Sequence, residues 1–156
     1  MESSAEHRVR VNAPLEVVWS ESSEPDRVAR HAPEVTAYHV DQSGESGTLC
    51  VHLAWGRFEW NLDGAARLTE RVPPERLGLD VDLPGLGLTL HNSLELAEAA
   101  AEEVNACYRG SLVSDHPLVN KLSSAFADLL EFHVRTTVEN LAAAAERRWQ
   151  AEQRLL

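Results

Sequence analysis

Between Val35 and Val113 apolar and polar residues alternate with a period of two. Leu49, Val51, Leu53 and Trp55 alternate with Cys50, His52 and Ala54, and Phe58, Trp60 and Leu62 with Glu59, Asn61 and Asp63. Leu77, Leu79, Val81 and Leu83 alternate with Gly78, Asp80 and Asp82, and Leu86, Leu88 and Leu90 continue the pattern. Turn-forming residues separate the runs: Gly56-Arg57, Val72-Pro73-Pro74-Glu75 and Pro84-Gly85. A period of two sends successive side chains to opposite faces, so these runs predict an antiparallel meander with one apolar and one wet face. Residues 7–12 predict a further strand. The segment LELAEAAAEEVNA, 94–106, is open on pattern alone. Its composition suits a helix, but the alternation of Val104, Ala106, Tyr108, Gly110 and Leu112 favours a hairpin.

Elsewhere the period changes to that of a helix. Pro14 suits a first turn, and Leu15, Val18 and Trp19 then share a face. A second short helix follows, with Ser23 and Asp26 at capping-box spacing, Pro25 in the first turn and Pro33 at its end. After Ser114 or Asp115 as a cap, and Pro117 in the first turn, nothing breaks a helix until about Gln150. Leu118, Leu122, Phe126, Leu129, His133 and Thr137 lie along one side of it. About 35 residues at roughly 1.5 Å each span about 50 Å, whereas a small domain is about 30 Å across. The helix is therefore expected to kink or to overhang, with 142–156 as the candidate overhang. Leu141, Ala145 and Trp149 continue the stripe, with Arg147, Arg148 and Arg154 beside it. That pattern predicts packing outside the domain, against a second copy in a homodimer or a partner enzyme. Membrane-surface contact is disfavoured, because Glu146 and Glu152 offset two of the arginines.

One strand, two short helices, a meander and a long helix make an α+β domain in which the helix covers the single apolar face of a curved antiparallel sheet. The 156 residues suit a single domain, 1–156. No run approaches the roughly 18 apolar residues of a membrane span. The polar, acidic start Met1-Glu2-Ser3-Ser4-Ala5-Glu6 predicts no signal peptide. A net charge of −11 argues against nucleic acid as a partner. Cys50 and Cys107 form no CxxC and read as free thiols of a cytoplasmic protein.

The order and spacing of several blocks resemble the START-related helix-grip superfamily (SRPBCC), shared by polyketide cyclases, the birch-pollen allergen Bet v 1 and lipid-transfer domains. Within it the chain is most similar to the carbon monoxide dehydrogenase G-subunit family. The blocks are Val11-Asn12-Ala13-Pro14 with Glu16-Val17-Val18-Trp19, then Pro25-Asp26-Arg27-Val28-Ala29 and Pro33. Gly56-Arg57-Phe58 through Leu62-Asp63-Gly64 and Arg67 through Leu77 carry it furthest. The resemblance covers about 7–145. It implies a seven-stranded sheet with 94–106 as a hairpin, and a cavity between sheet and long helix for an apolar molecule. It also implies association with a molybdenum hydroxylase, in its assembly or its recruitment to the membrane. The 84–92 segment is leucine-rich where relatives are often glycine-rich, which bears on cavity size.

The candidate chemistry is sparse. Ser114-Asp115-His116 reads as a helix cap, because adjacent side chains cannot line up as a relay. The seven histidines show no HxxxH or HxH spacing, so no metal is expected, and no cofactor is implied. His133 falls in the helix stripe facing the sheet, where it is either a hydrogen-bonded core group or a ligand contact. Asn92 and Tyr108 lie on the apolar faces of their strands with the same two readings. Apolar and aromatic walls are usual for small-molecule sites. The candidate lining set is therefore Val51, Leu53, Trp55, Phe58, Trp60, Leu62, Leu79, Leu88, Leu90, Asn92, Tyr108, Phe126, Leu129 and His133, around a pocket of about 300 Å³ or more. Glu95, Glu98, Glu102 and Glu103 read as a solvated hairpin tip. Binding of a hydrophobic molecule, lipid-, quinone- or polyketide-like, is the leading expectation. An adapter for a molybdenum hydroxylase and a cyclase or aromatase are the alternatives.

Overall fold

Seven strands form one antiparallel sheet in the order β1-β7-β6-β5-β4-β3-β2 in the computed structural model, which describes residues 1–155. The strands are β1 (Glu2–Val11), β2 (Val35–Val40), β3 (Ser46–Trp55), β4 (Phe58–Val72), β5 (Arg76–Leu83), β6 (Leu88–Ala100) and β7 (Glu103–Val113). Two short helices, α1 (Leu15–Ser22) and α2 (Pro25–Ala29), connect β1 to β2 across the open side of the sheet. After β7 come α3 (Pro117–Lys121) and the long α4 (Ser123–Arg154). This is the helix-grip architecture. Among the described residues no helix is long and apolar enough to cross a membrane. Cys50 and Cys107 are free.

The alternation places the strands with the expected faces. Leu49 and Val51 on β3 and Leu77 and Leu79 on β5 are buried. So are Leu94 and Leu96 on β6, and Val104, Ala106 and Tyr108 on β7. The segment 94–106 is the β6–β7 hairpin, with Leu96 paired to Ala106 and Glu98 to Val104. Gly56, at φ 58°, makes the two-residue reversal between Trp55 and Phe58, in a left-handed conformation that costs glycine little.

Four local features differ from the sequence reading. β1 begins at Glu2, five residues before the expected strand, and pairs with β7 from Glu2↔Val113 to Val11↔Val104. Serine and alanine at its inward positions gave no apolar signal. The C-terminal helix is interrupted at Leu122, whose φ of −107° and ψ of 32° separate α3 from α4. The cap of α3 is His116, whose Nδ1 accepts from the Leu118 N–H at 3.1 Å. Ser114 instead donates to the Leu86 carbonyl at 2.9 Å. Glu24, and not Ser23, stands at the N-cap of α2, with no side-chain cap bond.

The stripe on the last turns of α4 is covered from within the chain. Leu141 and Ala145 are buried, and Trp149 packs on the core. Helix α4 runs alongside β1 and is crossed by α1. The Asn12 N–H donates to Glu146 at 3.0 Å, and Arg148 donates to the Ser20 hydroxyl at 2.8 Å. The C-terminal end of β1 and helix α1 supply the cover that the sequence reading assigned to an outside partner.

Helix α4 comes close to the sheet at Gly110 on β7. A Cβ there would lie 2.9 Å from Val134 Cγ2 and 3.0 Å from Leu130 Cδ1. Gly110→Ala is therefore expected to push helix and sheet apart at a cost of about 1–3 kcal/mol. The lower entropy of the unfolded alanine chain returns part of it, about 0.4–1 kcal/mol. Thermal unfolding followed by circular dichroism should show Tm lowered by several degrees. An unchanged or raised Tm would contradict this packing.

Candidate functional site

Helix α4 lies against β1 and β7 and stands off from β3, β4 and β5. The space left between them is a cavity of about 280 Å³. Its floor is Leu49, Val51 and Leu53 on β3, Ala66 on β4, and Leu79, Val81 and Leu83 on β5. Leu88 and Leu90 on β6 and Leu112 on β7 complete it. Helix α4 supplies Phe126, Leu129, Leu130, Phe132 and His133, and α2 with the following loop supplies Pro25, Val28, Ala29 and Ala32 to Val35. Leu53, Val81 and Leu90 point inward yet remain only half-buried, because nothing fills the space before them. Pro33, Ala54 and Phe132 are exposed lining residues and mark where the cavity meets the surface.

One polar cluster interrupts this apolar wall. His133 Nδ1 pairs with the Glu34 carboxylate, and Thr137 Oγ1 lies 3.4 Å from the same nitrogen. On the other side of the ring, Nε2 lies 3.2 Å from Asn92 Oδ1 and 3.3 Å from the Tyr108 oxygen. The Tyr108 hydroxyl donates to Asn92 Oδ1 at 3.0 Å. With Asn92 Oδ1 an acceptor on one side and Glu34 on the other, both ring nitrogens are best satisfied as donors. His133 is thus hydrogen-bonded on both sides of its ring, with Nδ1 paired to the Glu34 carboxylate. Burial pushes the Glu34 carboxyl up, but the charge of His133 and its hydrogen bond outweigh that and hold it below the ordinary carboxylate value. Complete burial, with the charge of Glu34 adding to it, pushes the Tyr108 phenol far above its ordinary value. Tyr108 is thus a neutral hydrogen-bonding group.

Of the residues expected to line a pocket, Val51, Leu53, Leu79, Leu88, Leu90, Asn92, Tyr108, Phe126, Leu129 and His133 do so. Trp55, Phe58, Trp60 and Leu62 do not. Their phase is inward, but they stand towards the tip of the β3–β4 hairpin, where aromatic stacking and a turn occupy them. Phe58 stacks on Trp60 with ring centroids 6.0 Å apart, and Trp60 lies against Phe126 at 5.4 Å. Leu62 sits under the turn Pro84–Leu86, near Gly85, and Trp55 is 39% exposed. The volume falls just under the expected lower bound.

Two lining groups were not legible beforehand. Glu34 follows Pro33 in a loop, where a lone carboxylate reads as solvated; only the fold brings it to His133, 99 positions along the chain. Tyr38 on β2 also lines the cavity, and its hydroxyl is buried without a partner among the described residues. Burial, with the charges of Asp26 and Asp41, raises its phenol. Among the described residues no group of histidine, cysteine and carboxylate side chains could hold a metal ion.

No family model matches the chain, and no curated protein matches it either. Solved structures match it over nearly its full length. A conserved protein from Geobacillus kaustophilus is 12% identical with a TM-score of 0.71, covering 94% of this chain and 96% of that one. The Zhui aromatase/cyclase from Streptomyces sp. R1128 is 15% identical with a TM-score of 0.67, covering 95% and 96%. Norcoclaurine synthase from Thalictrum flavum is 13% identical with a TM-score of 0.56, covering 84% and 85%. At these identities the likeness is one of fold: this chain shares the helix-grip architecture, a sheet closed over a long helix around a space able to enclose an apolar ligand.

Proposed function

We propose that this protein binds a hydrophobic small molecule between α4 and the sheet. The observation that carries the reading is the cavity of about 280 Å³, whose walls are apolar except at one cluster. Leaving such apolar surface uncovered costs about 25 cal/mol per Å², so a ligand that fills it is bound largely by the hydrophobic effect. A cavity of about 150 Å³ holds benzene, so this one admits about a dozen non-hydrogen atoms. That is the size of a two-ring aromatic molecule.

Cyclase-type chemistry is the second reading, and the pair Glu34–His133 beside Tyr108 and Asn92 is the feature that favours it. Fold neighbours include an aromatase/cyclase. Binding is preferred because the groups that would move a proton are engaged with each other: the Glu34 carboxylate is paired with His133, and both His133 ring nitrogens have partners. The adapter reading, with a molybdenum hydroxylase as partner, rests on the sequence blocks of the resemblance. The stripe expected to reach such a partner, Leu141 and Ala145, is buried in this fold.

Filling the cavity tests the binding reading. Val81 is half-buried and faces the void, so Val81→Phe grows into it at a folding cost of about 1–3 kcal/mol. The probe is 2-naphthol, followed by its fluorescence. The wild-type protein is expected to bind it with 1:1 stoichiometry and the variant at least about tenfold more weakly, the loss expected when the pocket is blocked. Equal affinities would remove the cavity as the site.

The buried pair has its own pH signature. Glu34 has a lower pKa folded than unfolded, so its contribution is fully present above its unfolded value, about 4.3, and is lost as pH falls through the lower folded value. His133→Leu strands the carboxylate, at a cost of about 3–5 kcal/mol at pH 7. In the variant only burial acts on Glu34, raising its pKa, so protonation relieves the penalty as pH falls. Thermal melts from pH 7 to pH 4 should show the gap in Tm between wild type and variant narrowing. A gap independent of pH would contradict an ionised Glu34.

A further inference from the structure

Charge around the cavity restricts what can enter it. Among the described lining residues there is no lysine or arginine. The titratable groups facing each other in the cluster, Glu34 and His133, are paired with each other. At the rim, the His52 ring is engaged with Asn61 at 2.9 Å and Glu59 at 3.1 Å. At Tyr38, burial and then the negative charges of Asp26 and Asp41 raise the phenol. An anion entering this space would leave water without finding a free counter-charge, in a protein whose net charge is already −11.

The same walls do offer hydrogen bonds to a neutral group. Asn92 is 7% exposed and lines the cavity. Its Oδ1 is taken by Tyr108 and His133, which leaves the amide Nδ2 without a hydrogen-bond partner among the described residues. One carboxylate oxygen of Glu34 holds His133, and the carboxylate retains accepting capacity beside it. A ligand hydroxyl can accept from the first and donate to the second; a ketone oxygen can accept from the first.

Resting on the binding reading above, we propose that the cavity selects uncharged ligands, each an apolar body of about a dozen non-hydrogen atoms with a hydroxyl or carbonyl head group at Asn92, and rejects carboxylates of the same size. The Glu34–His133 pair sets this selectivity. It supplies polarity to the wall, and Glu34 occupies the one side chain of the cluster with which an anion would pair.

Isothermal titration of the wild-type protein at pH 7 with 2-naphthol and with 2-naphthoate tests this, because the two probes are close in size and differ in charge. Naphthol is expected to bind at least about 30-fold more tightly, given the cost of burying an unpaired carboxylate. Equal affinity, or a preference for naphthoate, overturns the proposal and leaves the binding reading standing. No binding of either overturns both. Glu34→Gln then frees His133 to pair with an anion. Naphthoate should gain at least about tenfold relative to naphthol, as expected for a restored buried ion pair. An unchanged ratio in a variant that circular dichroism shows to be folded assigns the selectivity elsewhere and overturns the role given to the pair. The wild-type ratio decides the selectivity itself whether or not that variant folds.

Discussion

One apolar sheet face needs a cover, and a single helix can reach only part of it. That constraint organises the molecule. A seven-stranded antiparallel sheet presents more inward surface than one cylinder about 10 Å wide can touch. Helix α4 is held against β7 at Gly110, where the missing Cβ lets Val134 and Leu130 come close, and it runs along β1. Every ångström of approach on that side leaves β3 to β5 further from the helix. Helix α2 and the loop after it close part of the gap, and the remainder is the cavity. The void is thus a geometric consequence of tight packing elsewhere, and half-buried Leu53, Val81 and Leu90 are its visible mark.

The cluster of Glu34, His133, Tyr108 and Asn92 shows how such a wall can carry polarity. Each member would be expensive to bury alone. Together they exchange hydrogen bonds, and the Glu34 carboxylate is paired with His133. The arrangement also links separate parts of the fold: the loop before β2, strands β6 and β7, and the middle of α4. Loss of one member therefore bears on folding as well as on binding, and an affinity and a Tm read the two effects separately. Against this background the fold neighbours are informative about architecture. A shared helix-grip frame accommodates both an aromatase/cyclase and proteins without a stated activity, and chemistry is decided by which side chains reach the void.

How much was legible depended on the range of the interaction. The strand phases followed from alternation, because the pleat fixes side-chain direction within a few residues. Hence Val51, Leu79, Leu88, Asn92 and Tyr108 could be placed on the inner face from pattern alone. The phase of Trp55, Phe58, Trp60 and Leu62 was equally clear, yet phase does not say what stands opposite. In the fold Phe58 meets Trp60, Trp60 meets Phe126, and Leu62 meets the turn at Gly85. The start of β1 was hidden because Ser3 and Ala5 carry little apolar weight, and the strand is held there by its backbone pairing with β7.

The amino-acid sequence by itself determined the element order outside 94–106, the α+β class, the inward sets of the strands and the long C-terminal helix with His133 on its sheet-facing side. All of these rest on local periodicity and on turn chemistry. Only the tertiary structure decided that Glu34 meets His133, that Leu141 and Ala145 are covered by this chain's own β1 and α1, and that Tyr38 buries its hydroxyl in the cavity wall. Those facts depend on how far the sheet curls and where the helix touches it. Such quantities are set jointly by many weak contacts between residues distant in sequence, and no local pattern encodes them.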